Sequence, residues 1–452
     1  MNLKHKLYLN RLLSSWGDRT WDFAIGLFLV KVYPTSLLLA AIQGILASSA
    51  VIIFAPIFGR WIEKASRIQE VKICLFIQNG SVVMSSAFVA LYFSRKSFND
   101  PLIEDMISSF APFILVTFSV IAQVTSAGYT LCLEKDWLLA LARDETELTD
   151  LNAMLRRLDL CCQTVAPFLV GILMQHSELG SALFLLFWNF FSGFSEYAVL
   201  KSIYNMGIPS LLKPKDKTVL SDSVTLFDFD AMKKYKKSFL LPGIACGFAY
   251  LSILGFDSVT IGYITNRGPE EGLIGIFSLF GAVFGIMGTI MFQWLAKSFS
   301  LRKAGLIGFI IDLSALSLCL WVVEDFGLLE NKFISDIDLP TLLFLTGIAI
   351  SRAGIWTIDL SMNQMIQVET NNPPLIGGVQ TSVNIFSELT KFILVAFLPA
   401  LSSFWILILV SYFSITTGFI IFLIYILTDE RQIEPLDAND KFTYGTLNEC
   451  KS

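Results

Sequence analysis

The stretch that decides the architecture is polar: IPSLLKPKDK at 208–217 and, shortly after it, FDFDAMKKYKKS at 227–238. A bilayer-crossing helix takes about 20 consecutive apolar residues. No such run exists between 204 and 237, and residues 201–237 hold eight of the chain's 33 Lys and Arg. On either side, apolar runs bounded by charged or turn residues follow one another closely. Before the break they predict spans at about 9–32, 36–60, 71–95, 106–132, 150–175 and 180–203. After it they predict spans at about 238–263, 273–296, 303–323, 339–368, 374–399 and 402–428. The expected organisation is therefore a six-helix half (1–203), a basic linker (204–237), a second six-helix half (238–428) and a tail (429–452).

Composition agrees with an all-α polytopic membrane protein. Of 452 residues, 54% are apolar and only 16% charged, with a mean hydropathy of +0.64; a soluble domain carries about 25% charged residues. That excludes a soluble enzyme, a nucleic-acid binder and a single-pass receptor, and the long unalternating runs exclude an outer-membrane barrel. The basic residues sort by loop. Twenty-five of the 33 fall at the amino end, in 60–72, 135–157, 201–237 and 297–303, and in the tail. The other loops hold only Lys31, Arg95, Lys96, Arg267 and Lys332, while Arg19, Arg352 and Lys391 fall inside spans. The positive-inside rule then places both termini in the cytosol. Seven cysteines without a CxxC and two isolated histidines give no zinc pattern. Asp18, Arg19 and Asp22 in the first apolar segment argue against a cleavable signal peptide. No nucleophile triad or phosphate loop is present, so no enzyme is expected.

Ionisable residues inside spans are expensive, about 3 kcal/mol or more each, and normally face water or a partner. Asp18 and Asp22 are four apart, hence on one face of the first span, with Arg19 turned away. Two such carboxylates repel until something positive arrives, and hard oxygen ligands suit divalent ions such as Mg, Ca, Mn and, with less selectivity, Fe(II) or Co(II). Pairing of Asp18 with an arginine is the plainer alternative. Gln78 and Asn79 fall in the middle of span three, and Asn189 and Glu196 share one face of span six. In the second half, GFDSVT (255–260) interrupts span seven with a glycine, Gly255, and Asp257. Spans ten and eleven bring Arg352, Trp356 and Asp359, then Asn384, Glu388 and Lys391, the last two spaced to pair. Asp257 reaching Lys391 or Arg352 is a further expected contact.

Two six-helix halves joined by a central loop are similar in layout to the major facilitator superfamily, where substrate binds between the halves and rocking alternates access. The turn GRWIEKASR (59–67) resembles that superfamily's loop between spans two and three. A more specific resemblance lies in YLNRLLSSWGDRTWDFAIGLFLV (8–30), which is similar to the first span of the ferroportin iron exporters, with their WGDR-x-W signature. It continues through FIQNGSV (76–82), EKDWLLALA (134–142), DLNAMLRRLDL (150–160), VAPFLVG (165–171), WNFFSGFSEY (188–197), LGFDSVTIGY (254–263), GIMGTIMF (285–292), RAGIWTIDLSMNQ (352–364) and GGVQTSVNIFSEL (377–389), in order across both halves. The resemblance implies a major facilitator fold and export of Fe(II) or related divalent ions from the cytosol with proton antiport. It also implies a monomer in the plasma membrane, without nucleic-acid partners or a resident cofactor.

By that resemblance the first-half metal site falls on Asp18 and Asp22. Animal members carry histidine at the second position, so Asp22 keeps a ligand but hardens it, and iron selectivity over manganese or cobalt is open. The family's second-half cysteine is Ser258 here and its span-eleven histidine is Lys391. The second site is thus expected to be absent or remodelled, with Glu388 and Lys391 in the ion's place beside Asp257. Control by hepcidin, which engages that cysteine, is not implied. Asp18, Gln78, Asn189 and Glu196 match the set that animal members use for calcium, and Asp136, Asn152 and Arg156, joined by Arg67, match the residues that close the cytosolic gate. Three rival readings stay open: a manganese, cobalt or nickel carrier on an internal membrane, a calcium-binding relative that does not transport, and an organic-solute facilitator.

Overall fold

A computed structural model describes residues 2–32, 38–98, 100–211, 239–255, 271–321, 339–370, 372–398 and 404–428, together with 233, 235–236 and 260. Asp257 and Ser258, most of the linker and the tail lie outside the described residues.

Twelve principal helices make up the described bundle. The first six are α1 (Leu3–Val32), α2 (Leu38–Lys64), α3 (Arg67–Ser94), α4 (Pro101–Cys132), α5 (Glu145–His176) and α6 (Glu178–Tyr204). The second six are α7 (Leu240–Tyr250), α8 (Glu271–Ser298), α9 (Leu301–Trp321), α10 (Leu339–Glu369), α11 (Pro373–Phe397) and α12 (Phe404–Thr428). Their starts are chemically specified. Asp100 accepts the Leu102 N–H ahead of Pro101, the Asp144 carboxylate accepts the Glu147 N–H at 2.6 Å, and the Ser177 hydroxyl accepts the Gly180 N–H at 2.9 Å. Among the described residues, nine helices are long and apolar enough to cross a membrane. α1, α7 and α11 are not among them: charged residues interrupt the apolar sequence of α1, α7 is cut short, and α11 mixes polar residues through its length.

The packing repeats. α1 packs on α5 and α6, α2 on α4, and α3 on α4 and α6; α7 packs on α11 and α12, α8 on α10, and α9 on α10 and α12. Each of these contacts in the first six maps onto one in the second six when six is added to both helix numbers. The helices that join the two sixes, α2 with α11 and α5 with α8, map onto each other in the same way. This is the signature of two related halves about a pseudo-two-fold axis.

Two local departures position the site. α4 does not stop at Cys132 but continues through a π-helical turn, Leu133–Trp137, into Leu138–Leu141. The extra residue of such a turn re-aims its side chains, here Glu134, Lys135 and Asp136. α7 ends at Tyr250, ahead of the glycine that span seven was expected to break at. The freed backbone is satisfied by side chains: Ser411 Oγ accepts the Ile253 N–H at 2.9 Å, Thr260 donates to the Ile253 carbonyl at 3.1 Å, and Arg352 donates to the Leu254 carbonyl at 2.7 Å. Non-helical backbone survives at membrane depth only when buried and paired in this way.

The apolar core is continuous in the second half, around Phe239, Phe292, Phe309 and Phe344. In the first half it is split. One cluster holds Leu7, Leu75, Tyr129, Trp137 and Leu200, and the other holds Trp21, Phe28, Val82, Leu115 and Leu185. Between them, on α1, α3, α4 and α6, lie Asp18, Gln78, Ser126 and Asn189. That polar layer costs the half a continuous core.

Candidate metal site

A cavity of about 340 Å³ opens between the halves, lined from the first by Asp18, Asp22, Gln78 and Ser126 and from the second by Cys246, Tyr250, Asp359 and Asn384. Asp18 and Asp22 both face it from α1. The Asp18 carboxylate is held by two neutral donors, Gln78 Nε2 and the Ser126 hydroxyl at 3.0 Å. Asp22 is looser, its side chain 52% exposed.

Arg19 is not turned away from this face, as the spacing suggested; it lines the same cavity. Its guanidinium grips Asp159 of α5 through two bonds, at 2.7 and 3.2 Å, while its other nitrogen stands 4.0 Å from Asp22. Asp159, 3% exposed, also sits 3.9 Å from Arg11 and 3.5 Å from Arg156. Three arginines around one buried carboxylate keep Arg19 committed there. Asp18 is therefore left with neutral hydrogen-bond donors and Asp22 with a long ion pair to Arg19 at 4.0 Å, an arrangement able to take a divalent ion. Among the described residues, no group of three or more His, Cys, Asp and Glu side chains is placed to hold a metal, so an ion at Asp18 and Asp22 would complete its shell with water and with Gln78 or Ser126 oxygens.

The four positions proposed for calcium divide. Gln78 touches Asp18, and Asn189 Oδ1 packs against Gly17, next to Asp18 on α1. Glu196 lies two turns further along α6, buried, with one oxygen accepting from Ser192 at 2.5 Å. Among the described residues, its second oxygen and Gln78 Oε1 are both buried without a hydrogen-bond partner.

At the end of the bundle where α4 turns into α5, the halves are tied together. Arg156 donates to Asp359 at 2.5 Å; Asn152 and Gln367 exchange amide bonds at 2.5 and 3.1 Å; Gln364 donates to Thr149 at 2.6 Å. Lys135 donates to the Asn363 carbonyl at 3.0 Å, and Lys297 pairs with Asp150 at 2.6 Å. On the other side of the pseudo-axis α2 and α11 touch backbone to backbone. A Cβ on Gly59 would lie 2.4 Å from the Pro374 carbonyl, and one on Gly378 would lie 2.4 Å from that of Ala55. Asn152 and Arg156 thus bridge the halves directly. Arg67 and Asp136 pair with each other inside the first half, at 2.9 and 3.0 Å, and so brace the π turn that presents Lys135.

In the second half, Glu388 and Lys391 are both half-buried on α11, with the Lys391 ammonium 5.0 Å from the centre of the Phe392 ring. The expected contacts of Asp257 and Ser258 lie outside the described residues. Sequence reasoning missed Asp159, although its signal was present: a carboxylate deep in span five, three residues after Arg156. It also missed Gln364 and Gln367, whose only signal was amide residues inside an apolar run.

The model of the Ferroportin1 (FPN1) family matches residues 1–415. Ferroportin of Canis lupus familiaris is 27% identical over 93% of this chain and 90% of its own length. A solved bacterial homologue of iron transporter ferroportin in the outward-facing state superposes with a TM-score of 0.78 at 22% identity, over 94% of this chain and all of that one; for an inward-facing state the score is 0.61 at 21% identity, over 94% and 98%. The major facilitator transporter FucP in its outward conformation gives 0.61 at 11% identity, over 93% and 98% of the two chains. The repeat of six helices, the cavity between the halves and these likenesses give one answer: the fold is of the major facilitator type, and the chain belongs to the ferroportin family.

Proposed function

We propose that this protein exports a divalent metal ion, Fe(II) foremost, from the cytosol by alternating access, with protons moving the opposite way. The observation that carries the reading is a cavity lined by both halves, with Asp18 and Asp22 in its wall and one end sealed by side chains that reach from half to half. That sealed end carries the basic loops and is read as cytosolic, with both termini on that side and the protein a monomer in the plasma membrane. On this reading, with the sealed end cytosolic, access to the cavity is from outside. The cycle requires the Arg156–Asp359 and Asn152–Gln367 ties to part so that an ion can enter from the cytosol. It then displaces protons or water at Asp18 and Asp22, the basic end closes behind it, and release follows outward. Arg19, held on Asp159, keeps a positive charge near Asp22 that helps expel the ion when its coordination loosens.

In the second half, Glu388 and Lys391, with Asp257 and Ser258 at the break of span seven, take the place of a metal site. A protonated Lys391 supplies a tethered cation, which repels rather than binds metal. A calcium-binding role for Asp18, Gln78, Asn189 and Glu196 is a second reading, favoured by the two orphaned buried oxygens of Gln78 and Glu196; it draws on Asp18 and so competes with transport.

The test is metal efflux from proteoliposomes. Asp22→Ala is expected to lower Fe(II) efflux at least about tenfold, one such factor being roughly 1.4 kcal/mol of binding. Unchanged transport of Fe(II), Mn(II) and Co(II) would remove Asp22 from the mechanism. A competition panel of divalent ions, run with and without calcium, separates an iron exporter from a manganese, cobalt or nickel carrier. Calcium binding without any transport would favour the non-transporting relative.

A further inference from the structure

The cavity wall opposite Asp18 carries a second set of metal-ligating side chains. Cys246 and Tyr250 stand one turn apart on α7 and both line the cavity; Asp359, Met362 and Asn363 line it from one face of α10. Asp359 is fully engaged. It accepts from the Tyr250 hydroxyl at 2.6 Å and from Arg156, a residue of the other half, at 2.5 Å. Asn363 is engaged likewise, by Lys135 of the other half. Cys246 is different. It is 2% exposed, borders the cavity, and makes no hydrogen bond among the described residues. Two cations of the first half thus stand where a mobile cation would be held.

We propose that Asp359, Cys246 and Met362 form a second divalent-cation site, which fills when Arg156 withdraws from Asp359 as the basic end opens. A carboxylate, a thiolate and a thioether favour a borderline ion such as Fe(II), Co(II) or Zn(II) over Mg(II) or Ca(II). Binding is balanced: the metal–sulfur bond forms as the thiol loses its proton to cavity water, so each ion bound at Cys246 releases one proton. Arg156 and the ion compete for Asp359. The ion therefore favours the open arrangement and Arg156 the closed one, and the coupling is reciprocal. The site rests on the reading that ions pass through this cavity, and it lies on the wall facing Asp18 and Asp22.

The experiment is Co(II) titration of the purified full-length protein in detergent, read by the near-ultraviolet thiolate-to-cobalt charge-transfer band, which reports a cobalt–sulfur bond whether or not transport occurs. A band is expected that is lost in Cys246→Ser, kept in Cys161→Ser and in Asp22→Ala, and weakened in Asp359→Asn. In Arg156→Ala it is expected to saturate at lower cobalt, by roughly 5- to 150-fold if the competition has the usual size of a coupling between sites. Arg156→Gln replaces Arg156→Ala if circular dichroism shows the alanine variant unfolded. A band that survives Cys246→Ser, or no band in either the wild type or the Arg156 variant, overturns the proposal. Because Asp22→Ala keeps the band, a failure of the transport reading and a failure of this site give different results.

Discussion

The two walls of the central cavity carry the same kind of group in opposite states. On the first-half wall, Asp18 is held by neutral donors and Asp22 is half open, because the neighbouring arginine is committed to Asp159. On the second-half wall, Asp359 is closed off by an arginine from across the interface and a tyrosine hydroxyl. An ion pair at membrane depth satisfies two costly charges at once, whereas a carboxylate left with neutral donors still attracts a cation. One wall therefore leaves its carboxylates only loosely matched by positive charge, and the other uses a positive charge as a latch.

The sharpest way to break this contrast is to release Arg19. Asp159→Asn removes the charge that three arginines share, and stripping one partner from a buried ionic cluster costs about 3–5 kcal/mol. Thermal unfolding in detergent is expected to fall accordingly, and Arg19, freed to fold onto Asp22, is expected to suppress efflux further. A stable Asp159→Asn protein with normal efflux would end the argument that Arg19 is kept off the site. Next, Gly378→Val places methyl groups where the Ala55 carbonyl stands, 2.4 Å from the first added carbon. Overpacking of about 1–3 kcal/mol should prise α2 from α11 and open the basic end, so that Cys246, buried here, reacts faster with a membrane-permeant maleimide; unchanged labelling would show that closure does not depend on that contact.

Smaller effects test the latch itself. Gln367→Ala deletes both bonds to Asn152 and the one to the Glu134 carbonyl at 2.6 Å. Leaving a buried amide unmatched costs on the order of 1–2 kcal/mol. The same maleimide assay should register it as a weaker opening than Gly378→Val gives. The smallest expected effect is at the start of α5, outside the membrane, where Asp144→Ala costs about 1 kcal/mol by loss of the helix cap. The Thr146 hydroxyl and the Glu147 N–H donate to this carboxylate and hold it below its ordinary value of 3.8. A depressed folded-state value means that the contribution is complete above about pH 4 and fades as the pH falls further. The wild type and Asp144→Ala should accordingly differ in stability at pH 7 and converge in strong acid; a constant gap across that range would assign the effect to something other than the cap.

Much of the fold was legible in the sequence because hydropathy acts locally. Apolar runs of sufficient length must be helical in lipid. Where the reading fell short, the cause was again physical. α7 ends at Tyr250 rather than at Gly255 because Ser411 and Arg352, far along the chain, supply hydrogen bonds to the unwound residues. The π turn at Leu133–Trp137 leaves no mark in a hydropathy profile. Of the site, the helical spacing of Asp18 and Asp22 correctly implied a shared face. The same spacing misjudged Arg19, whose long side chain sweeps round to reach Asp159, 140 residues away. Arg67, Asp136, Asn152 and Arg156 read as one gate. The structure divides them into a brace inside one half and a bridge between halves.

By itself, then, the sequence determined that the chain is a membrane-spanning helical protein in two parts, and by resemblance to what kind of protein it belongs. Tertiary structure alone decided which buried charges meet. Arg156 and Asp359 are 203 residues apart and belong to different halves; no periodicity links them, because their pairing depends on how α5 and α10 pack about the pseudo-axis. The cost of a buried charge is a local property and can be read along the chain, but its partner is a matter of three-dimensional distance.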